Sequence, residues 1–245
     1  MDYLHWDEKI ITDVSEKNIS DMYSHGYVFT RIGKGVMHQT RSIRIDLSKF
    51  ELSSENRRIL KKIDGIELQT IELPLKKYDF SIGKLAKDFY DTKFSKGIMS
   101  AQKIKEMLMD SSKSNFNCLL SYARPEHTFS SDTDIFLLEN SSCSLRSSLA
   151  RSSEKVCSGL AICYLNTDML HYSYPFYDLA TAPKDMGLGM MIMAIQYAKS
   201  AGMKYVYLGS LQRPTDTYKL QFAGLEWFDG ETWSRDIEKV KKILK

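Results

Sequence analysis

The chain has 245 residues, enough for one large domain or two small ones with a substantial core. Its formal net charge of +3 is too small to indicate nucleic-acid binding by itself. The N-terminus is charged from its second residue, which argues against a secretion signal. The longest apolar run, around residues 187–194, is far shorter than the roughly 20 residues of a membrane span. We therefore expect a soluble, cytoplasmic protein that does not bind membranes.

Cysteines and histidines do not form a recognisable metal or redox motif. Cys118, Cys143, Cys157 and Cys163 contain no Cys-x-x-Cys pair, and the five histidines are scattered along the chain. In a chain without a secretion signal such cysteines are expected to stay reduced. We expect no metal site.

The N-terminal elements follow a lead-in over residues 1–20 that we expect to be irregular. Hydrophobic periodicity, turn residues and capping serines then predict strands over 27–32, 42–47, 66–75, 118–123 and 135–138, and helices from residue 55, over 80–94 and over 101–109. A Gly-Lys-Gly turn occupies 33–35, and a serine-rich connection is predicted over 141–153.

The C-terminal part has the clearest pattern. It predicts strands over 156–165, 171–177, 205–208 and 225–228, and helices over 187–202, 218–222 and 236–245. This order resembles the GNAT acetyltransferase fold. We expect an α/β (α+β) architecture, with a GNAT-like mixed sheet flanked by helices and a smaller N-terminal α/β lobe. The predicted division is 1–140 for the basic N-terminal lobe and 141–245 for the GNAT-like lobe.

The glycine pair at the start of the predicted helix is the first candidate site. Gly187-Leu188-Gly189 places unpaired N–H groups and the positive end of the helix dipole where an anion can bind. With Lys184 in the first position it resembles the R/Q-x-x-G-x-G/A pyrophosphate loop of acetyltransferases. Small residues packed on a sheet would produce the same hexapeptide, so both interpretations stay open.

Longer matches give a more specific resemblance. The chain contains Tyr177-Asp178, Gly187-Leu188-Gly189, Tyr207-Leu208-Gly209 and Tyr218-Lys219 in that order. Its N-terminal half contains Arg31-Ile32-Gly33, Ile43-Arg44-Ile45, and Phe50 followed by Ser54, Arg57 and Arg58. These motifs resemble the arginyl-tRNA–protein transferases, and the matching stretches cover about half of the chain.

The resemblance implies an aminoacyltransferase, and the donor would be an aminoacyl-tRNA. The enzyme would move an amino acid, expected to be arginine, to the N-terminal α-amine of an acceptor protein or peptide, marking it for degradation in an N-degron pathway. No cofactor besides the tRNA co-substrate is expected. Two departures stand out: the family's cysteine cluster is replaced by residues 37–42, which contain no cysteine, and Leu179 follows Asp178 where the family has proline.

Candidate residues fall into three groups, each with a simpler structural alternative. Donor or tRNA binding is predicted for Arg31, Arg44, Arg57, Arg58, Lys184, Gly187, Leu188, Gly189 and Lys219, because cations and helix N-termini bind phosphates without reading bases. Asp178 and Glu226 are candidate acid/base groups, although Asp178 could simply cap a turn and Glu226 could be a surface strand residue. Tyr172, Tyr174, Tyr177 and Tyr207 are candidate pocket walls, or core residues.

Two rival functions remain at this point. A CoA-dependent GNAT N-acetyltransferase would use acetyl-CoA as its donor, held at Gly187 and Gly189, and the Lys184 motif favours it. A non-catalytic RNA-binding module would keep the fold and the basic first lobe without the chemistry.

Overall fold

The structure is a computed structural model that describes residues 4–124 and 159–245. Its helices are α1 (Glu16–Ser24), α2 (Ser54–Lys62), α3 (Phe80–Lys93), α4 (Ala101–Met109), α5 (Met186–Ser200) and α6 (Ile237–Ile243), with a 3-10 helix at Pro214–Gln221. Its strands are β1 (Asp7–Ile10), β2 (Tyr27–Phe29), β3 (Val36–Gln39), β4 (Ser42–Asp46), β5 (Glu67–Glu72), β6 (Cys118–Ala123), β7 (Gly159–Leu165), β8 (Met169–Tyr177), β9 (Tyr205–Ser210), β10 (Leu225–Phe228) and β11 (Trp233–Ser234).

Most predicted elements are confirmed, and the lead-in is the main error. Residues expected to be irregular form β1 and the start of α1, whose N-cap Ser15 accepts a hydrogen bond from the Asn18 N–H. The sequence pattern also missed β3, a short strand between two turns. The predicted strand 135–138, the serine-rich connection 141–153 and residues 156–158 of a further predicted strand lie outside the described residues.

Two sheets organise the described chain. A three-stranded sheet has the order β1-β3-β2, and an eight-stranded sheet has the order β11-β10-β4-β9-β8-β7-β6-β5. In the larger sheet β8 and β9 are parallel, whereas all other neighbours are antiparallel. The expected GNAT-like mixed sheet flanked by helices is therefore confirmed. Strands from both sides of residue 140 pair within this one sheet, and the division into two lobes stays a prediction.

Two apolar clusters cover the two faces of the large sheet. One cluster joins it to α2, α5 and α6, with Trp227, Ile59 and Ile192 among its most buried side chains. The other joins the opposite face to α1, α3, α4 and the small sheet, with Tyr23 and Phe176 almost fully buried. The sheet is thus the middle layer of the fold.

Strands β8 and β9 separate after a short stretch of pairing. Their parallel pairing is confined to three residue pairs, of which the last is His171 with Tyr207. Shortly after this point the pairing of β8 with β7 is interrupted. Cys163 of β7 pairs with Tyr172, but its neighbour Ile162 pairs with Tyr174. Ser173 of β8 therefore has no partner in β7 and is an extra residue on its strand. A bulge of this kind bends the strand that carries it. The bend opens a wedge between β8 and β9.

Candidate active site: an opening between two parallel strands

The opening lies at the carboxyl ends of β8 and β9, where ligands commonly bind in sheets with parallel strands. The residues of β8 beyond His171 form no pairs with β9, although they continue to pair with β7. The chain then turns into α5, so the N-terminus of that helix stands beside the opening. The predicted motifs around Tyr177 and Gly187 therefore converge here.

Aromatic side chains from α3 and β8 border the opening. The Tyr177 ring lies 4.9 Å from that of Phe89, and Tyr174 packs edge-on against Phe116 at 5.2 Å. Tyr90 lies beneath them and donates a hydrogen bond to the Pro175 carbonyl oxygen at 3.1 Å. Two of the four predicted pocket tyrosines, Tyr174 and Tyr177, are thus at the opening.

The other two predicted pocket tyrosines lie elsewhere. Residues two apart on a regular strand share a face, but the extra residue Ser173 places Tyr172 in the α5-side cluster and Tyr174 against the other. Tyr172 is 2% exposed. Tyr207 is buried against Tyr23, with ring centroids 4.8 Å apart. The four-tyrosine wall stays a prediction, and the structure places Tyr172 and Tyr207 in the buried clusters, the alternative that the sequence left open.

Lys219 is held at the end of β9. Its ammonium donates to the carbonyl oxygens of Leu208 at 3.2 Å and Ser210 at 3.1 Å. Gly209 between them has a φ of +74°, a conformation that glycine adopts without strain and that lets both carbonyls reach one cation. Burial lowers the pKa of the Lys219 amine. Two of the three ammonium donors are used in this way, which leaves one for a ligand.

Asp178 closes the turn after β8. One carboxylate oxygen accepts from the Ala180 N–H at 2.8 Å and the other from the Thr181 hydroxyl at 3.0 Å. This is the turn-capping arrangement that the sequence left open as an alternative. The residue is only partly buried, so its carboxylate is a negative charge at the edge of the opening.

The glycine pair is explained by packing. A Cβ on Gly187 would lie 3.1 Å from the Tyr177 ring, and one on Gly189 would lie 2.5 Å from the Ile63 Cδ1 atom. The N-cap residue Asp185 makes no capping hydrogen bond and instead forms an ion pair with Lys62. The hydrogen bond from Lys62 holds the pKa of the Asp185 carboxyl below its usual value, so a negative charge stands beside the expected phosphate site.

The remaining residues of the motif do not strengthen the phosphate interpretation. Lys184 is exposed and Leu188 packs against the α5-side cluster. A carboxylate next to the helix N-terminus weakens it as a pyrophosphate site, although Lys62 compensates the charge in part.

Arg44 and Glu226 form a separate arrangement. The Arg44 guanidinium pairs with Glu226 at 2.8 Å and lies 4.0 Å from the Trp233 ring centroid and 4.2 Å from that of Tyr205. The second oxygen of Glu226 accepts from Arg235 at 2.8 Å. With both oxygens engaged and the side chain 7% exposed, Glu226 is a structural ion-pair partner. An acid/base role for Glu226 stays a prediction, and the two ion pairs do not favour it.

This arrangement borders a shallow depression of about 350 Å³ on the surface. Its lining residues are Ser20, Ser24, Arg44, Asp168, Met169, Lys204, Tyr205, Tyr207 and Trp233. The depression is at the beginning of β9, whereas the opening is at its end. Arg44 and Tyr207 are consequently not part of the same site as Lys219.

The other predicted phosphate ligands are spread over the surface. Arg31 donates to the Ile98 carbonyl oxygen at 2.8 Å and its guanidinium lies 5.9 Å from the Tyr174 ring centroid, which places it at the opening. Arg57 and Arg58 are on the exposed face of α2, where Arg57 donates to the Leu52 carbonyl oxygen and Arg58 pairs with Glu55. Of these three arginines, Arg31 alone is beside the aromatic border.

Sequence reasoning missed a buried histidine beneath the opening. His171 is 1% exposed and its Nδ1 lies 2.8 Å from the Tyr23 hydroxyl oxygen. The same hydroxyl accepts from the Phe29 N–H at 3.1 Å. Burial lowers the pKa of His171 to about 3, so the imidazole is neutral. Its position on an apolar strand was the available signal.

Two further observations concern the described stretches as a whole. Within residues 4–124 and 159–245 no three His, Cys, Asp or Glu side chains converge where they could hold a metal ion. None of the helices in these ranges is both long and apolar enough to cross a bilayer.

Comparisons with known proteins give only a distant likeness. No family model matches the chain, and no curated protein matches it. Among solved structures, L-PGS from Bacillus licheniformis has 12% identity and a TM-score of 0.42, over 94% of this chain and 70% of the other. The C-terminal domain of a candidate lysylphosphatidylglycerol synthetase from Agrobacterium fabrum has 12% identity and a TM-score of 0.42, over 85% of this chain and 55% of the other. The chain thus spans about half of the second structure, and likeness of this degree supports no assignment of activity.

Proposed function

We propose that this protein is an aminoacyl-tRNA-dependent transferase, which moves an amino acid from tRNA to the N-terminal α-amine of an acceptor protein or peptide. The observation that carries the proposal is the opening between β8 and β9, bordered by Tyr174 and Tyr177 and flanked by the ammonium of Lys219. A wedge between diverging parallel strands can admit an extended acyl donor from one side and a nucleophile from the other. Arginine is the amino acid that we expect to be transferred.

The reaction needs positioning more than strong chemical activation. The acceptor amine attacks the ester carbonyl carbon, a C–N bond forms, the C–O bond to the ribose breaks, and the amine proton ends on the released ribose hydroxyl. Holding the ester and the amine in the reactive orientation can contribute about 7–11 kcal/mol to such a transfer. The free N–H of Lys219 is suited to bind a donor oxygen, and the Asp178 carboxylate to bind the donor's cationic α-amine.

An acetyl-CoA donor is the second candidate, and the observation that favours it is the Gly-Leu-Gly start of α5. The ion pair of Asp185 and Lys62 and the packing of both glycines explain that segment without a pyrophosphate. We therefore prefer the tRNA donor.

Label transfer separates the two donors. The protein is incubated with a peptide bearing an acidic N-terminus and either arginyl-tRNA labelled in the amino acid or labelled acetyl-CoA. We expect label from arginyl-tRNA in the peptide. Label from acetyl-CoA alone would overturn the proposal.

A pair of variants tests the role of the carboxylate. Asp178→Asn keeps an acceptor for the Ala180 N–H but removes the charge, and we expect transfer to fall by about 10- to 150-fold while tRNA binding is retained. Thr181→Val is the matched control, because it removes the neighbouring hydrogen bond and leaves the charge in place. Equal activity of the two variants would show that Asp178 only caps the turn.

A further inference from the structure

Two exposed aromatic rings stand beside the opening. Phe94 is 46% exposed and Tyr218 is 47% exposed, although large aromatic side chains are usually buried. Phe94 is the C-cap residue that follows α3, and its ring stacks on Tyr90, with centroids 5.6 Å apart and planes at 21°. The Tyr90 hydroxyl donates a hydrogen bond to the Pro175 carbonyl oxygen of β8. The ring on which Phe94 stacks is therefore held in place.

A cationic side chain lies close to each of these rings. The guanidinium of Arg213 lies 4.9 Å from the Phe94 ring centroid, and its charge also acts on Tyr218. The ammonium of Lys219 lies 5.9 Å from the Tyr218 ring centroid. The local combination is therefore a pair of partly exposed aromatic rings, each with a cation over it.

We propose that Phe94, Tyr218 and Arg213 form a stacking platform for an unpaired nucleobase at the 3′ end of an RNA donor. This inference rests on the proposed function, since it names the part of the donor that lies outside the opening. The platform adjoins Lys219, so a base stacked on it would leave the attached ribose ester next to the opening.

The chemistry of single-stranded nucleic acids matches this surface. Every base offers a flat π-face to an exposed aromatic ring, and the phosphate on its 5′ side brings a negative charge close to that ring. A cation close to the ring then binds the phosphate, while the exposed part of the ring holds the base irrespective of its sequence. A purely apolar ligand would use the rings and leave Arg213 without a role.

Binding of two RNA hairpins tests the platform on the full chain. One hairpin has a 3′ overhang ending in CCA, and the other is identical except that its last nucleotide lacks the base. Phe94→Leu keeps an apolar contact on Tyr90 and removes the aromatic face. We expect it to weaken binding of the complete hairpin by about 5- to 150-fold, the effect of losing one stacked base, and to leave binding of the base-free hairpin unchanged.

Phe80→Leu is the matched control. Phe80 is 75% exposed, and a cation, the ammonium of Lys105, lies 5.3 Å from its ring centroid, but it begins α3 whereas Phe94 follows the end of the same helix. We expect this variant to bind both hairpins as the wild type does. Tyr218→Leu is expected to behave like Phe94→Leu.

The outcomes distinguish this inference from the proposed function. If arginyl transfer from tRNA occurs but Phe94→Leu and Tyr218→Leu bind the complete hairpin as tightly as the wild type, the platform is wrong and the proposed function stands. If CoA binds in a Phe94-dependent manner and neither hairpin binds, the RNA assignment and the proposed function both fail. A loss of affinity for both hairpins alike in Phe94→Leu would also overturn the platform, because stacking acts only on the base.

Discussion

Replacing His171 with asparagine tests whether the buried imidazole is neutral in the folded chain. Asparagine places its amide near the position of Nδ1, so it can still form a hydrogen bond with the Tyr23 hydroxyl, but it cannot titrate. The change leaves some unfilled volume and is expected to lower stability near pH 7 by about 1–2 kcal/mol. The informative quantity is how this difference changes with pH.

The direction follows from the pKa values of the two states. Burial lowers the pKa of His171 to about 3, and the unfolded imidazole has an ordinary pKa of about 6.5. Between these values the unfolded chain binds a proton that the folded chain does not. Stability from the neutral histidine is therefore complete above about pH 6.5 and is lost as the pH falls toward 3. At 1.36 kcal/mol per unit, the 1.5 units from pH 6.5 to 5 amount to about 2 kcal/mol.

Urea unfolding followed by tryptophan fluorescence measures this effect at several pH values from about 7 to about 5. We expect the wild type to lose about 2 kcal/mol more than His171→Asn over this range, so that the two free energies of unfolding converge. His25→Asn is the control, because the His25 side chain is 65% exposed. Parallel pH profiles for the wild type and His171→Asn would refute the reasoning, since they would mean that folding does not change the protonation of His171.

Two further variants probe packing and charge by the same unfolding measurement. Gly189→Ala gains about 1 kcal/mol of helix propensity but forces a Cβ to within 2.5 Å of the Ile63 Cδ1 atom, so we expect the free energy of unfolding to fall by about 1 kcal/mol. In the Ile63→Val background, which lacks Cδ1, we expect the same substitution to raise the free energy of unfolding. A loss of equal size in both backgrounds would exclude this contact as the cause. Arg44→Ala leaves the buried Glu226 carboxylate with one partner and should cost about 3–5 kcal/mol, whereas Arg235→Ala should cost less than about 1 kcal/mol, because Arg235 is 62% exposed. Similar costs for the two arginines would contradict the central role of Arg44.

The sequence predicted elements well where the pattern was long or the cap was explicit. Helix α2 begins after Ser53, which exchanges hydrogen bonds with Asn56 as a capping box, and α4 was predicted at both ends. The lead-in was wrong because β1 is a four-residue strand with all of its residues exposed, so it has no apolar alternation to detect. The pairing of β1 with β3 supplies the order that local sequence does not.

The site was only partly predictable, because charge patterns do not reveal partners. Arg44 alternates with apolar residues on its strand, which indicates a specific role, but the sequence could not show that Glu226, 182 residues away, is its partner. In the same way Gly187 and Gly189 match a phosphate loop as a string of letters. The contacts that require glycine come from Tyr177 and Ile63, which lie in other parts of the chain.

The distribution of tyrosines depends on a single inserted residue. Alternation along β8 predicts that Tyr172 and Tyr174 share a face, and without Ser173 as an extra residue they would do so. The bulge turns Tyr172 into the α5-side core and leaves Tyr174 at the opening, beside Phe116 and Arg31. The same bulge accompanies the end of pairing between β8 and β9. One local irregularity thus both opens the wedge and selects which side chains border it, and the periodic pattern that identified the strand gives no sign of where the irregularity falls.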